Sequence, residues 1–146
     1  MSVKVVQGDM FKSSAQTLVN TINCVGAMGK GIALEFKKRY PVMYDRYRQL
    51  CNDGLIQPGK LWLFKTDDKW VLNFPTKEHW RNPSKKEYIE KGLIKFVETY
   101  KNKGITSIAF PMLGCNNGGL NKKDVLPVMI KYLEMCDGLE VEIYCN

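Results

Sequence analysis

Thr17-Leu18-Val19-Asn20-Thr21-Ile22-Asn23-Cys24-Val25-Gly26-Ala27-Met28-Gly29-Lys30-Gly31-Ile32-Ala33-Leu34 is the stretch whose reading decides the fold. Thr17 to Ile22 is short and rich in β-branched residues, so it is expected to be a strand, ending in the polar pair Asn20 and Asn23. Gly26 to Gly31 then forms a glycine loop. Ile32, Ala33, Leu34, Phe36 and Tyr40 follow at helical spacing until Pro41 stops them. A strand that passes through a glycine loop into a helix is the building unit of an open α/β sheet.

The same alternation continues in both directions. Val3 to Gln7 is a strand bounded by Gly8-Asp9, and Val42 to Asn52 is a short helix ended by Asp53-Gly54. Leu61 to Lys65 and Trp70 to Phe74 flank Thr66-Asp67-Asp68-Lys69 as a hairpin. Phe74 to Pro83 shows neither period and is assigned to a loop. Ser84 is placed to cap a helix from Lys85, with Glu87 in the capping-box position, running to about Lys103 before Gly104. Ile105 to Phe110 is a strand and Pro111 to Leu120 a loop. The helix that follows ends near Cys136, capped by Asn121 or Asp124; Asp124 fits better because it puts Pro127 in the first turn. Leu139 to Cys145 closes the chain as a strand. Strands alternating with helices predict an α/β domain of three layers, α/β/α, around a central mixed β-sheet.

Composition sets the outer limits. A chain of 146 residues is about one domain, and 45% hydrophobic with 25% charged residues is the balance of a packed fold. No apolar run approaches the roughly 18 residues of a membrane span, and Met1-Ser2-Val3-Lys4 lacks the apolar core of a signal peptide, so a cytoplasmic protein without membrane contact is expected. Five cysteines without a C-x-x-C pair, beside the single His79, argue against a zinc site and a disulfide framework. The net charge of +7 favours an anionic partner. It gathers in Lys30, Lys37, Lys38, Arg39, Arg46 and Arg48, and again in Lys77, Arg81, Lys85, Lys86, Lys91, Lys95, Lys101 and Lys103.

Both glycine loops follow predicted strands, where open α/β sheets bind their ligands. Gly26 to Gly31 lets backbone N–H groups approach an anion, and the next helix adds the positive end of its dipole. Leu113-Gly114-Cys115-Asn116-Asn117-Gly118-Gly119-Leu120 has the same properties. Neither loop carries the G-K-[ST] of a P-loop or the dinucleotide fingerprint. Each alone reads equally well as a tight turn. Two together suggest a diphosphate gripped from both sides.

Val6-Gln7-Gly8-Asp9-Met10, Val19-Asn20-Thr21-Ile22-Asn23 with the first loop, and Phe110-Pro111 with the second resemble the macrodomain family, whose members bind ADP-ribose. The likeness covers nearly the whole chain and implies a single macrodomain over 1–146. Gly26 to Ala33, together with Asn73-Phe74-Pro75-Thr76-Lys77-Glu78-His79-Trp80, resembles the DarG-type antitoxin macrodomains more narrowly. That resemblance implies a hydrolase, without cofactor or metal, that removes ADP-ribose from a base of single-stranded DNA, thymidine by analogy, and so reverses a DarT-type toxin. A monomer is the simplest state.

The resemblance also distributes roles. Asp9 would accept from the adenine amino group, with Gly8 and the Met10 amide beside it. Asn23 would hold the distal ribose diol, and Asn20 would contact substrate or fix the loop. Gly26, Met28, Gly29, Lys30, Gly31 and Thr76 would join Leu113, Gly114, Cys115, Asn116, Asn117, Gly118, Gly119 and Leu120 around the diphosphate and ribose, while Phe110 and Met112 are assigned to the core. Lys77 would carry the chemistry, either as a nucleophile on the anomeric carbon or as a charge that steadies the leaving base. His79 is a secondary acid–base candidate, Trp80 a shield against water, and Trp80, Arg81, Lys85 and Lys86 a strip for single-stranded DNA. Protein-directed relatives pair their lysine with an acid on the second loop, which has none here, and only Asp124 is near enough in sequence to replace it. Release from acidic protein side chains or RNA, or binding of ADP-ribose without cleavage, are the alternatives.

Overall fold

The computed structural model describes residues 3–146. Six strands form one sheet: β1 (Val3–Val6), β2 (Thr17–Asn23), β3 (Trp62–Lys65), β4 (Trp70–Lys77), β5 (Ser107–Pro111) and β6 (Glu140–Tyr144). Their order is β1-β6-β5-β2-β4-β3, parallel throughout except for the antiparallel β3–β4 hairpin. Helices α1 (Gly31–Arg39), α2 (Pro41–Asn52), α3 (Lys86–Lys103) and α4 (Lys122–Leu133) complete the fold.

Alternation along the central strands sorts side chains to two sides. Val19, Leu72, Phe74, Ile108 and Phe110 pack under Ile89, Leu93 and Phe96 of α3 and Val125 and Met129 of α4. Leu18, Ile22, Val71 and Ala109 face the other way, against Phe36 of α1 and Met43 and Tyr47 of α2. The result is the expected three-layer α/β/α domain with a mixed central sheet. The hairpin is present too, and the Thr66 hydroxyl organises its turn by accepting from the amides of Asp68 and Lys69 at 3.1 and 3.0 Å.

Three local expectations are corrected. Phe74 to Lys77 is strand rather than loop, because β4 stays paired with β2 up to Lys77. Pro75 is tolerated there because pairing with β3 ends at Trp62 opposite Asn73, leaving one side of β4 open. Ser84 does not cap α3; the helix begins one residue later, after Lys85, with no side-chain cap. Ser84 is instead tied by its amide to the carbonyl of Gly118 at 2.9 Å. Asn121, not Asp124, caps α4, its Oδ1 accepting from the amide of Lys123 at 2.9 Å. The Leu120 amide closes the preceding loop onto the Gly114 carbonyl at 3.0 Å and delivers Asn121 to that position. Pro127 therefore lies inside the helix, on its exposed side. A single 3₁₀ turn over Met10–Lys12, capped by Asp9, was not foreseen.

Candidate active site

The parallel neighbours β5, β2 and β4 all end at one cleft, which Pro111, Asn23 and Lys77 enter from their last positions. Its volume of about 510 Å³ is that of a small-ligand site. Gly29 to Ala33 form one wall, Gly114 to Gly118 the other, and Thr76, Lys77 and Trp80 stand between them.

Asn23 builds the first wall. Its Oδ1 accepts from the amides of Val25 at 3.1 Å and Ala27 at 3.3 Å, while Nδ2 donates to the Ala27 carbonyl at 2.8 Å. The buried Tyr47 hydroxyl sits 2.7 Å from the Asn23 carbonyl and 2.8 Å from Oδ1, giving its one proton to either. With Oδ1 so committed, Asn23 offers the cleft a donor only, rather than the donor and acceptor expected for a diol. Asn23 lines the cleft at 8% exposure.

The second wall depends on glycine. A Cβ on Gly118 would lie 2.2 Å from the Ser84 Oγ and 2.3 Å from the Gly114 carbonyl oxygen, so only hydrogen fits there. The walls also meet: Gly31 has φ +58°, and a Cβ on it would come within 2.6 Å of the Asn117 Nδ2.

A register shift between Ile22 and Asn23 brings Asn23 opposite Lys77. Lys77 then crosses the cleft mouth and donates from Nζ to the Asn117 carbonyl at 2.6 Å. Partial burial, and after it the nearby Lys30 ammonium, hold Lys77 below its ordinary pKa of 10.5. Behind it the Cys24 thiol points at the Lys77 carbonyl at 3.3 Å, and burial pushes that thiol up to about 12, so it is protonated and unreactive at neutral pH.

Of the residues chosen from sequence, Asn23, Gly29, Lys30, Gly31, Thr76, Lys77, Gly114, Cys115, Asn116, Asn117 and Gly118 converge on the cleft. Gly8, Asp9 and Met10 do not line it; Gly8 pairs with the Asn146 side chain, Asp9 caps the 3₁₀ turn, and Met10 is buried. Asn20 lies within the sheet, donating to Asn73 Oδ1 at 3.1 Å. Met28 and Leu113 are core residues, Gly26 faces a depression behind the first loop, and Gly119 and Leu120 lie beyond the lining. His79 accepts at Nδ1 from the Arg81 amide at 3.1 Å and packs beside Trp80, outside the lining. Trp80 stands at the mouth, 51% exposed.

Sequence reading missed Ile32 and Ala33, which present the first turn of α1 to the cleft, although a helix starting at a ligand loop signals that face. Met112 is buried as expected and lines the cleft as well. Tyr47 carried no sequence signal. Asp124 sits on α4 and does not line the cleft, and no Asp or Glu is among the cleft's lining residues. Among the described residues no three His, Cys, Asp or Glu side chains gather as metal ligands, the five cysteines are free thiols, and no helix is long and apolar enough to cross a membrane.

The three-layer domain carries two glycine walls meeting over the ends of its central parallel strands, the ligand-site position of an open α/β module, and the chain belongs to the macro domain family, whose model matches residues 19–129. It is 43% identical over 141 residues to a Mycobacterium tuberculosis protein named DNA ADP-ribosyl glycohydrolase, covering 94% of this chain and 40% of that one. A Thermus aquaticus protein of the same name is 39% identical over 146 residues, covering 97% of this chain and 41% of that protein. The chain thus spans about two fifths of the length of these relatives. The solved macrodomain of Mycobacterium tuberculosis DarG superposes with a TM-score of 0.95 at 40% identity over 99% of this chain and 97% of that one. Thermosipho africanus DarTG in complex with ADP-ribose superposes with a TM-score of 0.94 at 39% identity, covering 99% of this chain and 42% of that one.

Proposed function

We propose that this chain is a hydrolase that removes ADP-ribose from a base of single-stranded DNA, thymidine by analogy, and so reverses a DarT-type toxin. The observation that carries it is Lys77, the one side chain from the strand ends that reaches across the cleft where both glycine loops meet. Support comes from the relatives named DNA ADP-ribosyl glycohydrolase and from the DarTG structure solved with ADP-ribose. The walls offer backbone N–H groups and Lys30 to a diphosphate, and the net charge of +7 suits an anionic substrate.

Lys77 acts as the nucleophile in this reading, because burial and Lys30 both favour its neutral form. The ribose ring opens as the bond between its anomeric carbon and ring oxygen breaks, that oxygen taking a proton from water and the base nitrogen becoming doubly bonded to the carbon. The Lys77 amine then adds to that carbon and gives a proton to water. The glycosidic bond breaks, its electron pair leaves with the base nitrogen, and that nitrogen then takes up a proton. Water hydrolyses the carbon–nitrogen bond to the lysine, releasing ADP-ribose and restoring the amine. Asn23 donates to the ribose, and Trp80 covers the mouth. Asp9 and Met10 reach adenine only where the ligand extends past the cleft towards the end of β1. A monomer in the cytoplasm, next to DNA and a DarT-type partner, is the setting this activity needs.

The test is release of ADP-ribose from a thymidine-modified single-stranded oligonucleotide, comparing wild type, Lys77→Ala and Lys77→Arg. Wild type alone should release it while all three bind ADP-ribose. An arginine keeps the charge and cannot become a neutral amine. Substantial turnover by Lys77→Arg removes the nucleophile role. Binding without release by wild type leaves an ADP-ribose reader.

A further inference from the structure

We propose that the depression behind the first glycine loop, formed by Lys37, Tyr44 and Arg48, is a subsite for a backbone phosphate of the DNA strand that carries the modified base. This rests on the hydrolase reading above and specifies how the strand is held.

The depression has a volume of about 380 Å³ and shares Ala27 and Gly29 with the cleft, so the two cavities are separated by a single thickness of loop. Its lining holds two cations and no carboxylate. Lys37 Nζ lies 4.4 Å and Arg48 Cζ 5.8 Å from the centre of the Tyr44 ring, and the Tyr44 hydroxyl donates to the Gly26 carbonyl at 3.5 Å. The ring thus steadies both cations beside the loop. Neither is neutralised: the ion pairs among the described residues are Arg39 with Glu35 and Lys95 with Glu98.

The rest of this basic stretch is arranged differently. Arg39 is paired and covers Phe11, while Arg46 covers Phe64. Lys37 and Arg48 line the depression behind the loop that walls the cleft. Val25 lines the depression and is 47% exposed, an apolar spot where a sugar or base can rest. A strand whose modified base lies at Lys77 can pass over Val25 and set a neighbouring phosphate between the two cations. A phosphodiester is the ligand such a site takes, with Arg and Lys as its ordinary partners.

The experiment compares the whole chain with Lys37→Gln, Arg48→Gln and the double variant on two substrates, ADP-ribosylated thymidine nucleoside and an ADP-ribosylated single-stranded oligonucleotide. Glutamine keeps the first carbons of each stem, Arg48 Cγ beside Gly26 included, and removes the charge. The double variant is expected to raise KM for the oligonucleotide about tenfold at low salt, leave kcat alone, and leave the nucleoside kinetics unchanged. The slope of log KM against log salt should fall by about 0.7, the value for one phosphate contact on a single strand. Equal loss on both substrates means a role in loop structure and overturns the subsite, as does no change on either. A similar rise in KM from Lys95→Gln also overturns it, because bulk charge then suffices. If wild type cleaves neither substrate, the hydrolase reading itself has failed and the subsite with it.

Discussion

Lys77 Nζ and the main-chain oxygen of Asn117 lie 2.6 Å apart, joining the end of β4 to the second glycine loop across the cleft mouth. The carbonyl favours a charged lysine, whereas burial and then Lys30 favour a neutral one, and the net effect holds Lys77 below its ordinary pKa of 10.5. A substrate that reaches the lysine must take the place of Asn117. In the proposed reaction the second loop is thus coupled to the chemistry through Asn117.

Lys77 should impose an ascending limb on the pH profile of kcat. The reactive amine is neutral, so the rate rises with pH and levels off below 10.5, the ordinary lysine value. Lys30→Gln removes one of the two causes of the shift, moves the limb to higher pH and lowers kcat at neutral pH. A limb that stays put in Lys30→Gln, in a kcat profile at saturating substrate, removes Lys30 from this role. Stability follows the same sign: the folded chain holds this proton less tightly than the unfolded one, so charged Lys77 weakens the fold, and the penalty fades as pH rises towards 10.5.

Gly118→Ala should disrupt the second wall. The added methyl meets the Gly114 carbonyl oxygen at 2.3 Å, backbone that cannot rotate away. A cost of about 1–3 kcal/mol is expected in denaturant unfolding. ADP-ribose affinity, measured by calorimetry, should fall with it. Unchanged binding would show that the loop does not contact the ligand.

Ser84→Ala separates the capping expectation from the observed packing. A lost helix cap costs about 0.5–2 kcal/mol. Ser84 is 4% exposed, does not cap α3, and its hydroxyl finds no partner among the described residues, so alanine should be neutral or slightly stabilising in a thermal melt.

Tyr47→Phe takes a donor from Asn23, whose carbonyl and Oδ1 compete for it 2.7 and 2.8 Å away. Unfolding free energy should drop by about 1 kcal/mol. ADP-ribose should bind more weakly, because Asn23 sets the path of the first loop. A stability loss with unchanged affinity would confine Tyr47 to the core.

Much of the site was legible because glycines, polar strand ends and helix starts are neighbours in the chain. Thr17 to Leu34 announces a strand, a loop and a helix through local steric preference and periodicity alone, and the structure has all three. The same local logic failed at Ser84, where the Gly118 carbonyl took the serine amide and the helix began one residue late. It failed at Pro75, where pairing with β2 outweighed the missing periodicity. Met28 and Leu113 sit in site-like loops, yet their apolar side chains are drawn into the core.

The amino-acid sequence by itself determined the three layers, the two glycine loops, the basic charge and the candidacy of Lys77, since each depends on residue type and short-range spacing. Tertiary structure alone decided that Tyr47 holds Asn23, that Lys77 meets Asn117, and that Lys37 and Arg48 converge behind the first loop. Those contacts join residues on different elements, and only packing both faces of the sheet brings such elements within hydrogen-bonding reach.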